Sequence, residues 1–123
     1  MKRLLIAAAL IASNVSAHEL TPTYPEFRPS YVDKVLVTTL KLWNRRDDVE
    51  YYEITVVDRN WRTIPFATIE RIVRVPYLQH KNLDIYIRKN DLNKVELICT
   101  TSKLLKEDVQ STGVRSMICS RVK

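Results

Sequence analysis

The sequence has little of what many site chemistries require. It holds one glycine, Gly113, in 123 residues. A phosphate-cradling loop needs several glycines in a tight pattern, so none can form here. Two cysteines, Cys99 and Cys119, are too few for a four-cysteine zinc site. The G-x-S-x-G and H-E-x-x-H motifs are both absent, which removes the nucleophile elbow and the zinc-protease helix. No apolar run reaches the roughly 20 residues of a membrane-spanning helix. Basic residues outnumber acidic ones 20 to 14, but they form no dense stripe of the kind that binds nucleic acid. Arg45-Arg46 stand beside Asp47-Asp48, and Arg71 and Arg74 stand near Glu70. A solvated, mixed-charge surface is expected there, and no nucleic-acid partner.

What is present begins with a leader. Met1-Lys2-Arg3 is basic, Leu4 to Ala12 is apolar, and Val15-Ser16-Ala17 supplies small residues at the end. This is the pattern of a secretory signal peptide over residues 1–17. Polar Ser13 and Asn14 end the apolar run, and no cysteine follows Ala17 to carry a lipid anchor. The mature chain is expected to start at His18 and to be soluble in the periplasm or outside the cell. Loss of Lys2 and Arg3 takes the formal charge from +6 to +4.

The remaining 18–123 stretch reads as one all-β domain. Period-two alternation recurs in runs rich in Val, Ile, Thr and Tyr. Leu20–Phe27 is an edge segment punctuated by Pro22 and Pro25. Further runs are Val35–Trp43, Tyr51–Val57, a brief Trp61–Phe66, Ile69–Val75, Leu83–Ile87, Val95–Cys99 and a last strand, Gly113–Val122. Pro76–Asn82 is expected to be a loop, and Lys103–Thr112 a polar connector. About seven strands at this spacing predict an antiparallel β-sandwich. With one glycine available, Asn and Asp are expected to serve the turns, since both tolerate left-handed backbone geometry.

Export makes a Cys99–Cys119 disulfide the expectation. Closing that loop would contribute roughly 3 kcal/mol in the chain-entropy model. The pair would staple the last two strands and expose a conflict. Cys99 alternates with Val95 and Leu97 and so is expected to face inward. Cys119 and Met117 would then face inward too, turning Val114, Ile118 and Val122 outward. Either a bulge corrects the register, or these three residues form an apolar outer stripe that binds a partner by strand addition.

Other chemistry rests on few residues. As the first mature residue, His18 could chelate copper through its amine and imidazole. The only second histidine is His80. Trp43, Trp61, Tyr51 and Tyr86 are candidates for a carbohydrate-binding platform. The carboxylate pairs Asp47-Asp48 and Glu107-Asp108 lie in polar connectors, where a general acid lacks a perturbing environment. No catalytic residue is assigned.

The succession Leu40-Lys41-Leu42-Trp43-Asn44, Tyr52-Glu53-Ile54-Thr55-Val56, Ile64-Pro65-Phe66 and Ile85-Tyr86-Ile87-Arg88 resembles the first domain of the periplasmic pilus chaperones (PapD-like). The resemblance spans about residues 19–101. It implies an immunoglobulin-like sandwich that holds another polypeptide by strand addition, without enzymatic activity. Those chaperones have a second domain and a client-anchoring arginine on the first strand; Leu20–Pro25 has no arginine. The fold and the binding role carry over, therefore, and no anchor residues do. A surface or phage structural subunit is the kind of partner this implies.

Overall fold

Strand alternation builds the molecule around one central pair. In the computed structural model, which describes residues 18–103 and 115–122, β3 (Val35–Trp43) and β6 (His80–Arg88) pair antiparallel over nine positions each. Leu40 and Leu42 point inward from β3, and Leu83, Ile85 and Ile87 from β6. β1 (Glu19–Thr21) and β2 (Arg28–Pro29) line the far side of β3, one against Lys41–Trp43 and the other against Leu36–Val37. The prolines between them explain the split, because proline offers no N–H to a ladder.

The second sheet runs β5 (Ile72–Arg74), β4 (Tyr51–Val57), β7 (Leu97–Lys103), β8 (Met117–Arg121). It faces the first with Tyr52, Ile54 and Val56 of β4 and Ile98 of β7, all essentially without exposure. Full burial of each such aliphatic chain stabilises the fold by about 1.5–3 kcal/mol. A one-turn helix, α1 (Lys89–Leu92), carries the chain from β6 to β7. The strand order is that of an immunoglobulin-like sandwich, with β5 paired to β4 rather than to β6. Among the described residues no helix is long and apolar enough to cross a membrane.

Several expectations need correction. His80 lies on β6, not in a loop, because Pro76–Gln79 alone turns the chain. Trp61–Phe66 makes a single bridge, Val57 to Thr63, rather than a strand. Only Ile72–Arg74 of the Ile69–Val75 run is in the sheet. Among the described residues the left-handed turn positions outside glycine are taken by Lys34, Trp61 and Leu78, at φ 65°, 65° and 63°, not by Asn or Asp. Such geometry costs a residue with a Cβ about 1–2 kcal/mol. Lys34 is exposed in the β2–β3 turn, so nothing but strain is lost on truncation. Lys34→Gly is expected to raise the unfolding free energy by up to about 1 kcal/mol in urea titration, glycine's greater unfolded-state entropy offsetting part of the gain.

Candidate functional site

The last strand settles its own register through the disulfide. Cys99 and Cys119 are bonded and stand directly opposite each other. On β7 it is Ile98, Thr100 and Ser102 that share the inner face, opposite Val56, Ile54 and Tyr52 of β4. The disulfide therefore lies on the outer face of the sheet. By the same alternation Ile118 and Ser120 face inward, and Ile118 and Val122 pack against the core. The expected outward stripe of Val114, Ile118 and Val122 is corrected at the last two positions, and no bulge is needed; Val114 lies outside the described residues. The error came from placing Val95, Leu97 and Cys99 in one inward phase. Val95 is buried from the turn after α1, ahead of β7, and sets no phase for that strand.

What remains unpaired on β8 is the outward side of its backbone at Met117 and Cys119, beside which β1 lies. Ser116, Ile118 and Ser120 exchange ladder bonds with β7, as the Ser102 N–H to Ser116 carbonyl bond of 2.9 Å shows. The backbone groups of Met117, Cys119 and Arg121 consequently point away from β7. The Arg121 N–H donates to the Thr23 carbonyl at 2.8 Å. Those of Met117 and Cys119 meet no partner among the described residues. Met117 is 53% exposed. Met117 to Ser120 carries no charge. By contrast β6 presents His80, Lys81 and Asn82 at its open end, with Lys81 paired to Glu70 across the seam. Polar and charged side chains of that kind blunt an edge against pairing, and the Met117–Cys119 stretch of β8 lacks them.

Beside this edge lies a buried polar cluster. His18 is 1% exposed; its Nε2 lies 3.1 Å from the Thr100 carbonyl and 2.8 Å from Thr100 Oγ1, and its Nδ1 lies 3.1 Å from Ser116 Oγ. The imidazole packs on Tyr52 at 4.5 Å between centroids. Burial, reinforced by the nearby Arg46 charge and opposed by the Thr100 carbonyl, lowers the His18 pKa to about 4. Burial also pushes the Tyr52 phenol up to about 12. That phenol donates to Asn44 Oδ1, which also accepts the Arg46 N–H. Asn44 Nδ2 donates to the Val49 and Val75 carbonyls at 2.7 and 2.8 Å. No buried side-chain polar atom among the described residues lacks a partner.

The other sequence candidates are dispersed. Trp43 and His80 face each other on the outer side of the first sheet, 4.6 Å apart, whereas His18 is buried at the inner side with both ring nitrogens engaged. The structure does not bring His18 and His80 together. Among the described residues no group of three His, Cys, Asp or Glu is placed to hold a metal. Tyr86 shares the outer face with Trp43 but sits six residues from His80 along β6, about 20 Å at the usual rise per residue. Tyr51 belongs to the other sheet, and Trp61 to a turn, so the four aromatics form no single platform. Arg46 holds the Asp48 carboxyl below its ordinary range through a 2.7 Å ion pair. Glu107-Asp108 lie outside the described residues. Arg45 pairs with Glu19 and Arg74 with Glu50, so neither forms part of a free basic patch.

The sequence reading missed Asn44, Tyr52, Thr100 and Ser116 as a connected group. No spacing rule links them; only Asn44, ending the alternating Leu40–Trp43 run, could have been flagged as an unusual strand-end polar residue. Comparison with protein-family models and with curated proteins finds no match.

Proposed function

We propose that this is an exported, non-enzymatic polypeptide-binding sandwich that takes an extended segment of its partner onto the open edge of β8. The observation that carries the reading is the uncharged edge at Met117–Ser120, with two outward pairs of backbone groups and no described partner. Strand addition supplies affinity through such main-chain bonds and needs no catalytic group. The resemblance to PapD-like chaperones supports the same mode of binding, and the leader-like first 17 residues and the disulfide support an oxidising, periplasmic or extracellular setting. A structural subunit of a surface appendage or a phage is the partner class this suggests.

Met117→Pro tests the edge. Proline at this position deletes an outward N–H and leaves the ladder to β7 intact, a placement edge strands tolerate. Peptides selected from a displayed random library against the disulfide-intact protein should lose at least about tenfold in affinity for the variant, since charge-free strand addition depends on those main-chain bonds. The same peptides should bind Asn82→Pro, altered on the opposite edge, unchanged. Equal binding to wild type and Met117→Pro would overturn the proposal, as would a protein that selects only copper or glycans.

A further inference from the structure

The segment His18–Thr23 spans the seam between the two sheets. Its Glu19–Thr21 portion is paired to β3 of the first sheet. Apart from the Glu19 ion pair to Arg45, its other polar contacts go to the second sheet. His18 reaches Thr100 and Ser116, the Pro22 carbonyl accepts the Ser120 hydroxyl at 2.7 Å, and the Thr23 carbonyl accepts the Arg121 N–H at 2.8 Å. Leu20 is buried between. This strap thus occupies one of the three outward backbone positions of β8 and leaves two.

We propose that His18 is a proton-sensitive latch: neutral, it holds the strap across the sheets, and protonated, it releases the strap and frees the third position of the β8 edge. The geometry gives the reason. The Thr100 carbonyl can only accept, so Nε2 donates there, and Nδ1 accepts from the Ser116 hydroxyl. One neutral tautomer satisfies both sides. A second proton adds a charge to a buried site. The groups facing His18 offer it no counter-charge among the described residues: Thr100 and Ser116 on the β7–β8 side, the Tyr52 phenol on β4, and Arg46 with Asp48 in the β3–β4 turn. Asp48 is committed to Arg46, and Arg46 has the wrong sign. On its own strand Glu19 points outward to Arg45. Sequence position adds to this, because the latch residue is the last before a three-residue strand, which a loss of its bonds can detach locally.

The sign follows from the lowered pKa. A histidine at about 4 in the folded protein and 6.5 unfolded holds its full contribution above pH 6.5 and loses it as pH falls towards 4. Regulation of the edge rests on the β8 reading above; the latch itself does not, and it is tested without a partner.

Native-state hydrogen exchange by NMR on the disulfide-intact protein reads it directly. Between pH 6.5 and 4 the protection of the Arg121 amide, corrected for intrinsic exchange, should fall by roughly two orders of magnitude, the linkage expected for a shift of this size. The Ile85 amide, in the β3–β6 ladder, should stay protected. His18→Gln keeps a donor and an acceptor but no titration, and its Arg121 protection should not change over that range. Direct titration of the wild-type imidazole keeps the test independent of whether the variant folds. A His18 ring that titrates near 6.5, Arg121 protection unchanged to pH 4, Arg121 and Ile85 losing protection together, or His18→Gln with the wild-type pH slope would each overturn the latch. Failure of the Met117→Pro binding test would leave all four readouts untouched.

Discussion

Asn44→Ala is expected to lower the unfolding free energy by about 4 kcal/mol, since each buried polar group stranded without a partner costs about 1–3 kcal/mol. The amide of Asn44 is fully buried and serves four groups at once: the Val49 and Val75 carbonyls, the Arg46 N–H and the Tyr52 hydroxyl. Alanine abandons all four and leaves a cavity among them. A domain of this size has only about 5–15 kcal/mol in total, so the variant should be largely destabilised at room temperature and its urea midpoint should fall sharply. Tyr52→Phe removes one donor of the same group and should cost about 1 kcal/mol, a typical net hydrogen bond. The double variant should lose less than the two losses added, because the hydroxyl is no longer there to be stranded. Full additivity would show that Tyr52 and Asn44 are not coupled.

Ile118→Asp should be damaging too, by about 2–3 kcal/mol, because it sets a charge against the core where Ile118 is partly buried. Its neighbour supplies the control. Met117 points to the outer side and is exposed, so Met117→Asp should change stability by no more than about 0.5 kcal/mol. The two substitutions are adjacent in sequence and identical in chemistry. Only the register imposed by the Cys99–Cys119 pair separates them. If Met117→Asp unfolds the domain and Ile118→Asp does not, β8 faces the opposite way, and the outward apolar stripe returns as the binding surface.

These two cases show where the pattern of residues was informative and where it misled. β3 and β4 were legible to the residue, Val35–Trp43 and Tyr51–Val57, because large apolar residues dominate their inner faces, Leu40 and Leu42 on one and Tyr52, Ile54 and Val56 on the other. β7 was misread because its inner face is not aliphatic along its length. Ile98 is followed there by Thr100 and Ser102, while the outward phase holds Leu97 and Cys99. Hydrophobic alternation presumes that the interior is apolar. In this corner the interior is polar and satisfied by hydrogen bonds with His18, Ser116 and Ile118, so the signal inverts. The burial of His18 was missed for the same reason: its place in the sequence suggested a metal ligand, whereas its surroundings come from groups 82 and 98 positions away.

By itself, then, the sequence determined the all-β class, strands β3 and β4 and the pairing of its only two cysteines. These follow from local alternation and from composition, which act along the chain. The tertiary structure alone decided which face of the last strand is buried, which sheet edge stays open, and that the first residues of the described chain are held to the last strand. Those outcomes depend on contacts between residues far apart in sequence, and on a polar interior whose hydrogen bonds are satisfied only once both sheets are in place.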